Sequence, residues 1–310
     1  MSRSRHRGKR RISRRARIYR AIIAWYLKRI DARTLDIART RKRLDFFGGL
    51  GRMPRRVSAR YETLAGLPAA WLVPHGAPDD SVLLYWHGGA YLVGSIRSHR
   101  PLVSHIANAA GVQAVIPEYR LAPEHRFPAA VDDAVRAYRQ LLEDGNDASR
   151  IVVGGDSAGG GLTVAMLLSL RDADVPLPRA CFLLSPWLDL TGSGESMRTR
   201  AGHDPLFKPH DMPHVVGQYC DEQELRLPLV SPVFADVHGL PPTLIQVGED
   251  EILLSDSERY AEKLRAAGVE AELDVWPGMW HVWQMFVRLM PESRLANIKL
   301  GHFVRDRLAG

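Results

Sequence analysis

The sequence predicts an α/β fold with a mostly parallel central sheet and helices on both of its faces. Short apolar runs alternate along the chain with longer segments of helical period, which is the pattern of strands joined by crossover helices. One of these runs leads directly into a glycine-rich turn, as expected where a strand gives way to a helix. With 310 residues, 45% of them hydrophobic, the chain is long enough for one large domain with a substantial core.

The apolar runs give the predicted strands, and helical spacing gives the predicted helices. Apolar residues recur at helical spacing over about 131–142 and about 162–169. The last run would form an edge strand, whose unpaired backbone groups suit a second copy of the chain, so a homodimer is one expected assembly. In chain order the runs are SVLLYW (81–86), VQAVI (112–116), RIVVGG (150–155), ACFLLS (180–185), TLIQVG (243–248) and AELDVW (271–276).

Two segments interrupt this rhythm and predict a cap over one end of the sheet. Residues 1–20 read as a basic leader that we expect to be disordered, and residues 21–55 read as cap helices. Residues 56–310 would form the main domain. Within it, about 191–228 is rich in Gly, Pro, His and Met without a clear strand, and it is predicted as a cap insertion.

The net charge of +7 is unevenly spread along the chain. Residues 1–60 hold 21 basic residues and three acids, whereas the remainder holds 21 basic and 32 acidic residues. Apolar residues near helical spacing accompany these charges, so an amphipathic helix on an anionic membrane is one hypothesis. The favoured alternative is a disordered leader followed by a cap helix that covers the active site, and no nucleic-acid partner is expected. The apolar residues are Ile18, Ile22, Trp25, Tyr26 and Ile30.

Cysteine content and hydropathy limit the compartment and the cofactors. Cys181 and Cys220 are the only cysteines, too few for a disulfide framework, and no Cys/His run has the spacing of metal ligands. We therefore expect a reduced interior with no metal and no cofactor. The N-terminal apolar run has no credible cleavage site, and no segment reaches the length of a transmembrane helix. These observations together predict a cytoplasmic protein.

The turn after the third run carries the predicted nucleophile. Gly155-Asp156-Ser157-Ala158-Gly159 is a G-x-S-x-G placed between an apolar strand and a helix, and this context makes the motif specific. A serine on such a tight turn is exposed at the carboxyl edge of the sheet. The glycines on both sides let the strand and the helix approach closely. Ser157 is therefore the predicted nucleophile.

A second glycine-rich loop follows the first run, in Tyr85-Trp86-His87-Gly88-Gly89-Ala90-Tyr91. Acyl transfer needs backbone N–H groups that point at the developing oxyanion. The predicted donors are the N–H groups of Gly88, Gly89 and Ala158. His87 is predicted to brace this loop rather than to act as a base.

The predicted base is His281, because a serine nucleophile needs a histidine and the histidine needs an orienting acid. His281 lies in a turn-forming loop directly after the last predicted strand, from which a side chain reaches the carboxyl edge of the sheet. His302 lies in a predicted C-terminal helix and reads as a packing or surface residue. The chain order of serine, acid and histidine is the order typical of α/β-hydrolases.

Taken together, these motifs resemble the hormone-sensitive-lipase-like (family IV) group of α/β-hydrolase esterases. The resemblance covers about residues 60–290, and one position departs from it: Ala90 stands where the group usually has a third glycine, which questions the backbone freedom of the loop there. It implies an α/β-hydrolase fold with a helical cap and short to medium acyl chains in the substrate. The matching stretches are YWHGGAY (85–91), YRLAPEHRFP (119–128), GDSAGG (155–160), SPWLDLT (185–191) and LPPTLIQVG (240–248).

The acid is chosen from the stretch QVGEDEILLSDS at 246–257. Ser255 and Glu258 have the spacing of a capping box, and Asp256 would then lie in the first turn of the helix, so Asp256 and Glu258 have structural roles. The group's usual Asp-Pro-Leu pattern, counted back from Tyr260, falls on Glu251-Ile252-Leu253. The resemblance therefore implies Glu251 as the triad acid. Asp250 stays open as the alternative, and Glu249 reads as a solvated turn residue.

The predicted reaction is ester hydrolysis through an acyl-enzyme on Ser157. A lactone is an alternative substrate, because ring opening needs the same groups. A ligand-binding protein on a hydrolase scaffold is the rival class, since the resemblance extends to plant hormone receptors of this fold. Asp156, Arg120 and Glu124 resemble positions that support the site, and surface or packing ion pairs explain each of them equally well.

Overall fold

The computed structural model describes residues 12–29, 32–34 and 36–309. In this part of the chain an eight-stranded sheet carries helices on both faces, which confirms the predicted fold class. All six predicted strands are present, as β3 to β8. The strands are β1 Val57–Leu64, β2 Leu67–Pro74, β3 Val82–Trp86, β4 Gln113–Pro117, β5 Ile151–Asp156, β6 Ala180–Leu184, β7 Thr243–Gly248 and β8 Ala271–Trp276.

The sheet has the strand order β1-β2-β4-β3-β5-β6-β7-β8. Strands β3 to β8 are parallel, and the hairpin of β1 and β2 adds to β4 in antiparallel orientation. This hairpin is not among the strands predicted from the sequence. Most of β1 is exposed at the sheet edge, including Tyr61 and Glu62, so it lacks the continuous apolar run that marks the buried strands.

The helices cover both faces of the sheet and separate its core into two layers. Helices α3 and α9 pack on one face, where Leu83 and Tyr85 of β3 point, and α4, α5 and α8 pack on the other, where Leu84 and Trp86 point. The helices are α1 Arg14–Leu27, α2 Ile37–Gly49, α3 Ile96–Ala110, α4 Ala129–Glu143, α5 Ala158–Asp172, α6 Ser196–Thr199, α7 Met212–Tyr219, α8 Leu254–Ala266 and α9 Pro291–Ala309.

Helix α1 begins at Arg14, so residues 14–20 are helical where the sequence analysis expected a disordered leader. That part of the prediction is wrong because the stretch has partners from distant parts of the chain. The side chain of Ser13 accepts the N–H of Ala16 and in turn donates to Glu292 of α9. Ala16 is fully buried in a small cluster formed by the residues around the start of α9. Residues 1–11 lie outside the described residues.

Helices α2, α6 and α7 belong to the segments predicted as a cap. Within 191–228 the structure has short helices and turns and no strand. We propose residues 21–55 and about 191–228 as the two cap segments. No helix in the described part of the chain is both long and apolar enough to cross a membrane.

Candidate active site

Ser157 lies on the turn between β5 and α5 with a φ of 53°, a left-handed conformation that strains a residue with a side chain. The flanking glycines have no room for one. A Cβ on Gly155 would come within 2.4 Å of the Gly159 carbonyl oxygen, and a Cβ on Gly159 within 2.1 Å of the Trp86 carbonyl oxygen. Strand and helix therefore meet at backbone distance, and Ser157 is held at the carboxyl edge of the sheet.

Glu251 and His281 form a hydrogen-bonded pair in the interior. The imidazole Nδ1 of His281 lies 3.0 Å from Oε2 of Glu251, and the other carboxylate oxygen accepts the N–H of Gly248 at 3.0 Å. Both side chains are buried. Burial raises the pKa of Glu251, while the bond to His281 and the Gly248 N–H oppose that rise. The loop after β7 thus presents an acid to the loop after β8.

Hydrogen bonds hold the His281 loop beside the nucleophile turn. The N–H of Val282 donates to Oγ of Ser185, 3.1 Å away, directly after β6. The N–H of Ser157 donates to the carbonyl of Leu184, at the end of the same strand. Ser157 and His281 thus lie at one edge of the sheet. The hydrogen bonds of the described residues join His281 to Glu251 and include none between His281 and Ser157.

The two other candidate acids have different partners. Asp250 forms an ion pair with Arg20 of α1, and its N–H donates to the carbonyl of Met279. The carboxylate of Glu249 accepts the N–H of Gly278 at 3.1 Å, so it supports the turn that leads to His281. Among the described residues, neither carboxylate forms a hydrogen bond or ion pair with His281.

The predicted capping box at Ser255 and Glu258 is absent, and that prediction is wrong. Helix α8 begins at Leu254, two residues before the start that an N-cap at Ser255 would give, and no side chain caps it. Ser255 instead accepts the N–H of Ser196, from the cap insertion. Asp256 is fully buried; its Oδ2 accepts two backbone N–H groups between β6 and the cap insertion, and burial raises its pKa to about 8. Asp256 has a structural role, but through contacts across the fold.

The glycine loop after β3 lies directly against Ser157. A Cβ on Gly88 would come within 3.0 Å of the Cβ of Ser157. The N–H of Gly88 donates to Oδ1 of Asp156 at 3.0 Å. This N–H is therefore already engaged, which differs from its predicted role as an oxyanion donor.

The N–H groups of Gly89, Ala90 and Ala158, in the same two turns, have no acceptor among the described residues. Gly89 has a φ of 122°, and Ala90 has a φ of 56° although it carries a side chain. The loop thus adopts, at Ala90, a backbone conformation that a glycine would allow without strain. Ala90 was not among the donors predicted from the sequence, because its departure from glycine was read only as a question about the freedom of the loop backbone.

His87 braces the loop, as predicted. Its ring is fully buried, lies parallel to the ring of Tyr119 with centroids 4.4 Å apart, and bonds through Nδ1 to the carbonyl of Gly88 at 2.8 Å. Burial, together with neighbouring His99, lowers the pKa of His87 to about 3. A neutral imidazole that donates within its own loop fits a bracing role.

Asp156, next to the nucleophile, organises a buried polar cluster behind the glycine loop. Its carboxylate accepts the hydroxyl of Tyr85 at 2.8 Å and the N–H of Gly88 at 3.0 Å. Nε2 of His99, on α3, lies 3.4 Å from the second carboxylate oxygen. Burial opposes protonation of His99, yet the Asp156 carboxylate raises its pKa. Of the three supporting positions suggested by sequence, Asp156 is the one in contact with the site.

The other two supporting positions form ion pairs away from the nucleophile. Arg120 forms a two-oxygen ion pair with buried Asp133 on α4. Glu124 pairs with Arg41 on α2, whose guanidinium also donates to carbonyl oxygens of the loops behind the site. Glu124 thus ties cap helix α2 to the main domain.

The cap insertion reaches the site through Asp204 and Phe207. The ring of Phe207 packs edge-on against His281, with centroids 4.7 Å apart. Asp204 is fully buried and accepts the N–H of Ile252, next to Glu251, at 2.9 Å, as well as the N–H of Phe207 at 3.0 Å. This carboxylate therefore fixes the cap insertion to the loop that carries the acid.

No group of three or more His, Cys, Asp or Glu side chains in the described part of the chain could hold a metal ion. The arrangement at the sheet edge has a nucleophile turn, a histidine paired with a carboxylate, and free N–H groups beside them. These are the parts that acyl transfer through serine requires.

Comparison with known proteins agrees with this arrangement. Residues 83–285 match the family model of an α/β hydrolase fold. An acetyl-hydrolase of Streptomyces hygroscopicus is 41% identical over 91% of this chain and 92% of its own.

Solved structures are also similar to this chain. A crystal structure of an esterase from the bacterial hormone-sensitive lipase family has 41% identity and a TM-score of 0.91, covering 96% of this chain and 99% of its own. The esterase EstE5, soaked with p-nitrophenyl butyrate, has 37% identity and a TM-score of 0.91, covering 96% of this chain and 100% of its own. The chain belongs to the α/β-hydrolase family and, within it, to the hormone-sensitive-lipase-like (family IV) esterases.

Proposed function

We propose that this protein is a serine carboxylester hydrolase that cleaves small esters of short to medium acyl length. The observation that carries the proposal is the buried bond between His281 and Glu251 at the sheet edge that also holds the strained turn of Ser157. The names of its relatives, acetyl-hydrolase and esterase, support the same reaction class.

In the proposed mechanism, Nε2 of His281 takes the proton from Oγ of Ser157 as the oxygen attacks the ester carbonyl. Glu251 accepts the Nδ1–H of His281 and stabilises the imidazolium. The carbonyl oxygen becomes an oxyanion, and collapse of this intermediate expels the alcohol, which receives the proton from His281. Water then attacks the acyl-enzyme with His281 again as base, and the acid product leaves Ser157 free.

The proposed oxyanion donors are the N–H groups of Gly89, Ala90 and Ala158. They have no acceptor among the described residues, and the loop that carries two of them lies against Ser157. Gly88 has a different proposed role: its N–H bond to Asp156 fixes the loop beside the nucleophile.

Hydrolysis of p-nitrophenyl esters from acetyl to palmitoyl, with a seven-membered lactone alongside, tests the substrate class. Ser157→Ala is the blank. We expect the highest kcat/KM with short to medium acyl chains and no turnover by the blank. A clear preference for the lactone would move the assignment to lactone hydrolysis, for which the same residues serve.

The rival function is ligand binding without turnover. It predicts that wild type matches the blank with every ester and that Ser157 does not react with a fluorophosphonate. The paired Glu251 and His281 support catalysis, because a protein that only binds its ligand has no use for an oriented base. Labelling of Ser157 by the fluorophosphonate, absent in Ser157→Ala, would exclude the rival function.

We also propose a cytoplasmic location, supported by two buried cysteines that are both free. A homodimer paired through β8 is a further proposal, supported by the position of β8 at the sheet edge and by the exposed side chain of Val275. A monomer mass in light scattering would end the dimer proposal. The proposed partners are a small ester and, for the N-terminal region, an anionic membrane surface; none is a nucleic acid.

A further inference from the structure

A surface cavity of about 370 Å³ lies where the start of α1 meets the segment that leads into α9. Four arginines line it: Arg14 and Arg15 from α1, and Arg288 and Arg294 from the other side. Among the described residues, none of these guanidinium groups forms a hydrogen bond or an ion pair. We call this feature the arginine cavity. It brings together four cations that form no ion pair with the described residues.

Glu292 is an acid of the same segment, but among the described residues its carboxylate bonds to Ser13 and to none of the four arginines. Glu292 accepts the N–H and the hydroxyl of Ser13, at 2.6 and 3.0 Å, and thereby holds the start of α1 on α9. These bonds join the two segments that line the cavity and leave the four guanidinium groups without an ion pair among the described residues. Anionic groups with several acceptor oxygens, such as phosphates, suit a cluster of this kind.

The outer face of α1 continues from the arginine cavity as an apolar strip. Arg14, Ile18, Ile22 and Trp25 are spaced i, i+4, i+8 and i+11, so they share one side of the helix. Ile18 is 58% exposed and Trp25 is 63% exposed. The opposite side of α1 carries buried Ala16, which packs into the core. An apolar strip that faces away from the core is available for an external partner.

Exposed leucines flank the arginine cavity on its other side. Leu289 is 42% exposed and Leu295 is also exposed; both lie between or beside the arginines of the α9 segment. Arg29 lies over the ring of Trp25, 4.1 Å from its centroid, at the far end of α1. The surface thus alternates cationic groups with aliphatic and indole side chains along its length.

We propose that the arginine cavity and the outer face of α1 dock this protein on an anionic phospholipid bilayer. Headgroup phosphates enter the arginine cavity, and Ile18, Ile22 and Trp25 enter the boundary between headgroups and acyl chains. A nucleic acid would satisfy the arginines equally well but would leave the apolar strip in water. The combination of charge and apolar exposure therefore favours lipid.

The docking surface connects to the catalytic loops through the inner side of α1. There Arg20 forms the ion pair with Asp250, next to Glu251, and donates to the carbonyl of Gly278 in the loop of His281. A bilayer that binds the outer face of α1 would therefore lie beside the cap, close to the loops of the proposed esterase site. This consequence rests on the proposed function, whereas the binding itself does not.

Sedimentation of the full chain with vesicles tests the proposal. We expect binding to phosphatidylcholine vesicles that contain phosphatidylglycerol, little binding to pure phosphatidylcholine, and weaker binding at higher salt. Each of Arg288→Gln and Arg294→Gln should weaken the affinity about fivefold, since each removes one cation from the surface. Trp25→Ser and Leu289→Ser should also weaken binding to the same vesicles, because each removes an apolar side chain that would insert into the bilayer.

Matched controls separate this surface from general charge and stickiness. Arg55→Gln and Arg139→Gln remove the same charge from exposed arginines elsewhere on the protein. Leu227→Ser, at a leucine that is 43% exposed, is the control for Leu289→Ser. These controls should bind like wild type. Equal losses in the control and cavity variants, or no binding of wild type to anionic vesicles, would overturn the proposal. So would tighter binding to a DNA duplex that Trp25→Ser leaves unchanged.

Hydrolysis of a soluble ester by every variant is measured in parallel. Unchanged rates show that the variants are folded, so a loss of vesicle binding then reports on the surface. If wild type binds vesicles but hydrolyses no ester, the proposed function fails while the docking surface stands. If the esterase is active and the vesicles are not bound, the docking proposal alone fails.

Discussion

At the scale of single residues, Glu251 and Asp250 are chain neighbours in different surroundings. Glu251 contacts His281 in the interior, whereas Asp250 pairs with Arg20 at the cap. Glu251→Gln keeps the size of the side chain but removes its charge, so we predict that kcat for p-nitrophenyl butyrate falls about 10²- to 10⁴-fold with little change in KM. Asp250→Asn is the matched control and should keep most of the activity. An equal loss in both variants would contradict the assignment of Glu251, rather than Asp250, as the acid that orients His281.

His87 gives a prediction for pH dependence. Its pKa is about 3 in the folded chain because the ring is buried, against about 6.5 when unfolded. Between these values the unfolded chain binds a proton that the folded chain does not, so this contribution to the free energy of unfolding is lost as the pH falls below about 6.5. From pH 7 to pH 5, urea denaturation of wild type should lose about 2 kcal/mol more than His87→Gln. Equal losses would show that His87 does not stay neutral.

The role of a single residue was predictable where a motif fixes the backbone conformation. It was less predictable where a side chain forms a hydrogen bond with a backbone group from another part of the chain. Ser157 and its turn follow from glycines that sequence shows directly. The engagement of the Gly88 N–H does not, because it depends on which way the Asp156 carboxylate turns. The same limit applies to Ser255, whose hydroxyl accepts a distant N–H rather than capping its own helix.

At the scale of elements, Asp204 joins the cap insertion to the loop that contains Glu251. Its carboxylate is fully buried and accepts backbone N–H groups from both, including that of Ile252. Asp204→Asn replaces one acceptor by a donor that faces an N–H, so we predict a loss of about 2–3 kcal/mol in the free energy of unfolding, together with lower kcat. Asp221→Asn, in the same insertion but in an exposed pair with Arg126, should cost less than about 1 kcal/mol. Chemical denaturation measures the loss in each variant, and similar losses in the two variants would contradict this role of Asp204.

Elements with one continuous apolar run were predictable, and elements defined by distant partners were not. Strands β3 to β7 are almost entirely buried and mainly apolar in sequence, so their pattern needs little tertiary information, whereas β8 at the sheet edge is partly exposed. Strand β1 of the edge hairpin is largely exposed and lacks that pattern. Its partner β2 is mostly buried and apolar, so its omission from the predicted strands does not follow from exposure. Helix α1 was missed up to residue 20 because its stability comes from Glu292 and the cluster around Ala16, nearly the whole chain away.

At the scale of the whole molecule, charge is separated between the N-terminal region and the rest. Residues 1–60 carry 21 basic residues and three acids, and α1 places part of this charge on the docking surface. We therefore predict that anionic vesicles increase the hydrolysis of a membrane-dissolved ester more than that of a soluble one. The double variant Arg288→Gln, Arg294→Gln should lose the increase and keep the soluble rate. If the increase persists in this variant, the arginine cavity is not the cause of the activation by lipid.

The central claim concerns the whole site: one serine on the turn after β5 performs the chemistry. The most direct test compares wild type and Ser157→Ala in the hydrolysis of p-nitrophenyl butyrate under identical conditions. We predict a loss of at least about 10³-fold in kcat, because no other group can form the acyl-enzyme. A rate within about tenfold of wild type would contradict the assignment of Ser157, and with it the proposed esterase mechanism.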